Sequence, residues 1–443
     1  MALKGLDIFK LTPKTNCKDC GCPTCMAFSM KAAQGTLEIN KCPHLSNEAK
    51  KVLNEATEPP MKTISLGAGD CLHSLGGETV LYRHDKTFVS KTLYGVNITA
   101  ANADQELAYL QKIEYERIGE RMYIELVNVE YSGEIGTFLE TVKKALSVNR
   151  TLVLSVSDPD AAEAALEISG SYKPLLNGAD ETNYASMSAL AVKFGVVLGV
   201  SGKSFEGLHA TVREIEALGN KNLVLAVSSA SVKDAFEQTV QIRRGALKDG
   251  DRSLGYPSLV NLAGLAPGDS YMQTALASLF TAKYGSIVIL ENMSYAQALP
   301  LFGLRQNIFT DPQRPMKIEP GIYPINGADE SALCAVTVDF ALTYFVVSGE
   351  MERSGVPVNL LISDAGGYSV LTAWAAGKFS AGSIAKFIKE NNIENKINNR
   401  ILLIPGKVAV IKGELQDNLP GWKIVVAPGD AVGLVRFLKE MSE

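Results

Sequence analysis

The sequence predicts an α/β protein in three parts: a small cysteine-rich domain over residues 1–57, a (β/α)8 barrel over 58–325, and a doubly wound α/β domain over 326–443. Three observations carry this. Five of the seven cysteines crowd between Cys17 and Cys42. About eight short β-branched runs alternate with helical patterns from Thr63 to Asn292. The same alternation returns on a smaller scale in roughly the last 120 residues.

At 443 residues the chain exceeds what one hydrophobic core supports, so several domains are expected. Apolar residues at 46% and charged residues at 21%, without long like-charge blocks, describe a folded chain. A net charge of −5 argues against nucleic acid, whose recognition needs clustered Lys and Arg. Met1 to Lys10 alternates charged and apolar side chains and lacks the apolar core of an export signal, so a cytoplasmic location is expected. The longest apolar stretch, Ser331 to Gly349, carries Asp339 at its centre beside Thr337 and Thr343, and reads as buried with no membrane span.

The first unit ends at Glu58-Pro59-Pro60, where paired prolines resist both helix and sheet. Its core is too small to stand alone, and a bound metal group would supply folding energy. A helix is expected from Thr24 to Gln34.

In the barrel, strands are expected at Thr63–Leu66, Val96–Thr99, Met122–Val127, Leu152–Val156, Pro174–Leu176, Val196–Val200, Leu223–Val227 and Ser286–Leu290. Each has the length and composition of a strand buried on both faces. Leu259 to Leu262 competes with Ser286 to Leu290 for the last place. The C-terminal unit has strands at Val358–Ile362, Ile401–Ile404 and Ile424–Val426, and helices at Ser380–Asn391 and Ala431–Met441. Such flavodoxin- or Rossmann-like sheets bind ligands beyond the carboxyl ends of their strands. Those ends are Ser363-Asp364-Ala365-Gly366-Gly367, Pro405-Gly406 and Ala427-Pro428-Gly429, three small-residue loops open to close approach.

Cys17, Cys20, Cys25 and Cys42 have the spacing C-x2-C-x4-C-x16-C, four thiolates of the kind that hold a 4Fe-4S cluster. Pro43 follows the last, as proline does in bacterial ferredoxins. Structural zinc also takes four cysteines, but its sites usually pair two C-x2-C knuckles, so the isolated Cys42 favours iron-sulfur. Cys22 is near enough in sequence to compete for an iron, and its role stays open. Cys25 falls in a first helical turn, where the helix dipole stabilises a thiolate. Cys71 and Cys334 have apolar neighbours and are expected to be inert core residues.

Thr15-Asn16-Cys17-Lys18-Asp19-Cys20-Gly21, Thr24-Cys25-Met26-Ala27-Phe28 and Cys42-Pro43 resemble the large (gamma) subunit of the corrinoid iron-sulfur protein family, of the acetyl-CoA synthase/decarbonylase system. The resemblance extends over the whole chain. It implies a cluster domain, a TIM barrel and a C-terminal corrinoid-binding domain, with Cys17, Cys20, Cys25 and Cys42 as ligands and Cys22 outside the set. It further implies a methyltransferase component of the reductive acetyl-CoA (Wood-Ljungdahl) pathway. Cobalt(I) would take a methyl group from a methyltetrahydrofolate methyltransferase and pass it to acetyl-CoA synthase/CO dehydrogenase, with no catalytic side chain. The cluster would restore cobalt(I) from cobalt(II), and a small subunit would complete a heterodimer. The resemblance leaves open whether the pterin is folate or methanopterin, and which base the corrinoid carries.

The chain's histidines are His44, His73, His84 and His209, none of them in the C-terminal domain, and the Asp-x-His-x-x-Gly cobalt motif is missing. The corrinoid is therefore expected base-off with no protein ligand beneath cobalt. Candidate corrinoid contacts run through Gly367, Ser369, Val370, Leu371, Thr372 and Ala373, where a glycine turn leads into a helix with free amides. Thr343, Val346 and Arg436 on neighbouring helices, with Gly406 and Gly429 closing the cleft, complete the set. Two competing readings are a stand-alone Fe-S oxidoreductase and a barrel methyltransferase that binds the pterin itself. The first lacks a second cysteine cluster and a complete Gly-x-Gly-x-x-Gly. The second would use Asn97 and Asn128, residue types more often found capping loops.

Overall fold

The computed structural model describes residues 5–442 apart from 34–36, 47, 51–52, 54–58, 230 and 312–315. Glu58, Gln34 and the expected domain end at 57 lie outside the described residues. Two units result: Met1–Tyr115 with Arg121–Phe309, and Glu116–Glu120 with Thr310–Glu443.

In the first unit, β1 (Ile64–Leu66) and β2 (His73–Leu75) form an antiparallel pair. The barrel strands are β3 (Leu93–Ile98), β6 (Leu126–Glu130), β7 (Thr151–Ser155), β8 (Leu175–Ala179), β9 (Val197–Val200), β10 (Leu223–Val227), β11 (Ser258–Asn261) and β12 (Ile287–Leu290). Between β3 and β6 stand two short strands, β4 (Tyr115–Arg117) and β5 (Glu120–Met122). The eight barrel strands close into one ladder, in which β12 meets β3 through Ile287↔Leu93 and Leu290↔Val96. All eight are parallel, and β3, β9, β10 and β12 are buried along their whole length, as helices on the outside and side chains within require.

The strand count is as expected, but the membership differs. Thr63–Leu66 is no barrel strand: Ser65 is exposed between buried Ile64 and Leu66, the alternation of a sheet with one wet face. Leu259–Leu262 and Ser286–Leu290 do not compete, because each supplies a strand. The expected strand Met122–Val127 is broken at Glu125. That buried carboxylate pairs with Arg305 at 2.8 Å and accepts the Tyr94 N–H at 3.1 Å. Arg305 in turn donates to the Thr92 carbonyl at 2.9 Å, so the helix Tyr295–Ile308 is fastened to the start of β3. At the proline pair Arg252 donates to the Pro59 carbonyl at 2.9 Å, and just after it the Lys62 N–H donates to the Gly255 carbonyl at 2.7 Å. The Lys62 ammonium also bonds Glu216 at 2.7 Å and the Tyr256 hydroxyl, which locks the incoming chain to the barrel.

The second unit holds β13 (Gly321–Ile325), β14 (Leu333–Val338), β15 (Val358–Ser363), β16 (Ile401–Ile404) and β17 (Lys423–Val426), in the order β13-β15-β14-β16-β17. All run parallel except β13, which pairs antiparallel with β15. A division at residue 325 would therefore separate β13 from its own sheet. Helices Ala341–Ser354 and Leu434–Ser442 cover one face through Met351, Leu434 and Leu438, while Ala381–Glu390 and Lys412–Asn418 cover the other through Ile384, Ile388 and Leu415. Ser380 caps Ala381–Glu390 with a reciprocal box to Ser383. The last helix starts at Leu434 instead of Ala431, because Asp430 first accepts the Gly433 N–H at 2.9 Å in a turn. Among the described residues no helix is long and apolar enough to cross a membrane, and Ser331 to Gly349 is a strand and part of a helix split by buried Asp339.

Candidate functional site

The cysteine-rich segment winds through left-handed residues at Lys14, Asn16, Lys18 and Gly21, which turn it back on itself. The Asn16 side chain accepts the Cys25 N–H at 2.8 Å, bringing the region of Cys17 to the start of the helix Cys25–Ala33. Thr24 caps that helix by accepting the Ala27 N–H at 3.0 Å. On the other side Asp19 and His44 pair at 2.6 Å, which draws the loop toward the Cys42-Pro43 segment. The hydrogen bonds from His44 and from the Cys17 thiol hold the Asp19 carboxyl below its usual range.

Cys22 and Cys42 share one small core with Phe28 and Ile39, and Cys20 packs against it. Burial pushes the Cys22 thiol up, with a further push from Cys20 beside it. Among the described residues, the donor atoms of Cys17, Asp19 and His44 lie within 4.8 Å of one another, and no other three donors do so. Of the two remaining cysteines, Cys334 is fully buried and its thiol is pushed up to about 12 by burial. Cys71 departs from expectation: it is partly exposed and its thiol bonds the Asn149 side chain at 3.0 Å.

The second site lies in the C-terminal unit. Strand order reverses between β14 and β16, and their ladder ends at Ala335↔Leu403. The ladder of β14 with β15 continues to Val338↔Ser363, so β14 and β16 part beyond Ala335 and leave a crevice at their carboxyl ends. A cleft of about 410 Å³ opens there.

Of the expected contacts, Thr343, Val346, Ser369, Val370, Leu371, Gly406 and Gly429 line this cleft. Gly367, Thr372, Ala373 and Arg436 do not line it. Gly367 forms the turn behind it with φ +75°, and its N–H donates to Asp339 Oδ1 at 2.9 Å. Thr372 bonds Ser369 at 3.0 Å, Ala373 is buried in the core, and Arg436 is exposed and paired with Glu440 at 2.6 Å. The helix expected after the glycine turn has only six residues, Val370–Ala375. At Gly406 a Cβ would stand 2.4 Å from the Ala427 carbonyl oxygen, so only glycine lets the loops after β16 and β17 meet.

Sequence reasoning missed Leu342, Val347, Lys407 and Leu434, which also line the cleft. It noted Thr337 only as a polar break in an apolar stretch. Thr337 is in fact 2% exposed, lines the cleft, and has a buried hydroxyl without a hydrogen-bond partner. Asn97 and Asn128, weighed as loop caps, instead bond each other inside the barrel at 2.7 Å. Ser155 extends the network by donating to Asn128 at 2.7 Å, so the Asn128 amide is bonded at both its oxygen and its nitrogen.

A cysteine-rich cluster-type segment, a parallel barrel and a doubly wound unit with an apolar cleft at its switch point define a cofactor-carrying protein of modular build. A family model described as "CO dehydrogenase/acetyl-CoA synthase delta subunit" matches residues 63–438, and one described as "Putative Fe-S cluster" matches residues 13–44. The chain is 37% identical to the corrinoid/iron-sulfur protein large subunit of Moorella thermoacetica, over 99% of both chains. It is 30% identical to the acetyl-CoA decarbonylase/synthase complex subunit gamma of Methanothermobacter thermautotrophicus over the full length of each, and 31% identical to that of Methanopyrus kandleri over 99% and 98%. The chain belongs to this family of corrinoid/iron-sulfur protein large subunits. Among solved structures, a dihydropteroate synthase from Thermus thermophilus aligns with 53% of the chain at a TM-score of 0.39 and 17% identity.

Proposed function

We propose that this chain is the methyl-carrying component of an acetyl-CoA synthase/decarbonylase system, with a corrinoid in the C-terminal cleft and a 4Fe-4S cluster on Cys17, Cys20, Cys25 and Cys42. The observation that carries the reading is the cleft itself. It is apolar, stands at the switch point where doubly wound sheets bind ligands, and is rimmed by Leu342, Val346 and Leu371, each 46–63% exposed. Large apolar side chains left in water around a crevice suit the broad face of a macrocycle. The unpartnered Thr337 hydroxyl at the cleft wall supports a bound ligand in the cleft, since a buried polar atom normally has a partner.

When bound, the corrinoid would supply a nucleophilic cobalt for methyl transfer between a methyltetrahydrofolate methyltransferase and acetyl-CoA synthase, and a cluster on Cys17, Cys20, Cys25 and Cys42 would supply electrons to keep that cobalt reduced. The chain's own part is to hold and to expose. Leu342, Val346 and Leu371 exclude water from one face, and the Ser369 hydroxyl, held by Thr372 at 3.0 Å, offers a hydrogen bond at the rim. All four histidines lie in the first unit, so no imidazole of the second unit reaches the cleft. This favours a base-off corrinoid, in which cobalt(I) is more easily formed. The open rim leaves a surface for the small subunit to cover.

The spacing of Cys17, Cys20, Cys25 and Cys42 along the chain supports a cluster over a single zinc ion, because the fourth cysteine stands alone and not in a second C-x2-C knuckle. Absorbance of the chain purified with its small partner tests the reading: corrinoid bands together with a broad iron-sulfur shoulder are expected. The cobalt(II) resonance should show no nitrogen splitting. A preparation holding iron but no corrinoid would overturn the proposal.

A further inference from the structure

Resting on the corrinoid reading, we infer that Thr337 makes the cleft selective for corrinoids whose detached lower base carries a nitrogen acceptor, because its hydroxyl bonds that nitrogen in the depth of the cleft. Thr337 is the penultimate residue of β14, next to the point where β14 and β16 part. Its surroundings in the cleft are apolar, including Ala335, Leu360, Leu403, Val347 and Met351. The hydroxyl is thus an unsatisfied polar atom on a largely apolar wall, whose other polar side chains are Thr343, Ser369, Lys407 and Asp430. In a strand such a hydroxyl ordinarily finds a nearby carbonyl or water, and leaving it without one costs free energy.

Size decides which part of the ligand it meets. A cleft of about 410 Å³ is far too small for a corrin ring with its amide arms, but it accepts one flat heterocycle. When that base is off cobalt, the ring nitrogen that would have ligated the metal is left as a lone acceptor. The Thr337 hydroxyl is a donor in search of one, so each group satisfies the other. A phenolic base has the same flat shape but no ring nitrogen, and it would leave the nitrogen's place empty.

The test measures binding of three corrinoids to the corrinoid-free, full-length chain together with its small partner: cobalamin, a phenolyl cobamide, and cobinamide, which has no base. Wild type is expected to favour cobalamin over the phenolyl form by about tenfold, the worth of one buried hydrogen bond. Thr337→Val, nearly the same shape, should weaken cobalamin to the phenolyl level and leave cobinamide unchanged. Thr337→Ser should keep the preference. Thermal melting of the variants checks that the fold is intact. Equal losses for all three ligands in Thr337→Val, or a preference that survives it, would overturn the inference. If wild type binds none of the three, cobinamide included, the corrinoid reading itself fails.

Discussion

The buried carboxylate of Asp339 accepts the backbone N–H of Gly367 at 2.9 Å, and the same oxygen accepts the Ala365 N–H at 3.0 Å. Lys317 stands 3.5 Å from its other oxygen and 3.6 Å from Asp364. A single strand-end side chain thereby shapes the glycine turn that leads to Ser369, Val370 and Leu371 in the cleft. Asp339→Ala should strand two buried amides and cost roughly 2–4 kcal/mol of stability. Asp339→Asn keeps an acceptor and should cost less than half of that. Denaturant melts measure the cost, and corrinoid retention on gel filtration should fall in the same order. Equal losses for the two variants would show that charge, not hydrogen bonding, holds the turn.

The lock between Lys62 and Glu216 gives a pH dependence. Burial pushes the Glu216 carboxyl up, but hydrogen bonds from Lys62, Ser253 and Tyr256 outweigh it and hold the group below its ordinary 4.5. A carboxyl whose folded pKa is depressed contributes stability that is present above 4.5 and is lost as pH falls through the lowered folded value. Glu216→Gln should therefore melt below wild type at pH 7, by roughly 1 kcal/mol in stability. The gap should close under acid conditions. A gap that stays constant from neutral to acid pH would assign the effect to shape alone.

Cys42 and Cys22 share a core but should differ in chemistry. Cys42→Ala is expected to remove or convert the cluster while corrinoid content stays near normal, and Cys22→Ala to keep most of the iron. Iron per chain, with circular dichroism as a folding control, decides it. Equal iron loss in both variants would make Cys22 a ligand.

Legibility followed local pattern. The barrel strands could be read because burial on both faces leaves continuous apolar runs. Ile64 and Leu66 imitate such a run, and only exposed Ser65 betrays the wet face of β1. β13 escaped notice because Tyr323 and Pro324 break any apolar pattern, and the strand exists only through its pairing with β15. The cysteine spacing and the glycine loops at the cleft were visible because they depend on neighbours in sequence. The links Asn16 to Cys25, Asp19 to His44 and Asp339 to Gly367 were not. Each joins residues whose proximity is created by the fold.

Closure of the barrel through β12 and β3 also sets an order of events during synthesis. The cysteine-rich core draws on residues between Ile8 and Leu53, whereas β3 must wait for Leu290 before its open edge is paired. At ribosomal rates of roughly 5–20 residues per second, that interval is on the order of ten to fifty seconds. The residues of the small cysteine-rich core are thus all synthesised while the barrel is still an open sheet, so the proposed cluster could be set in place before the barrel closes.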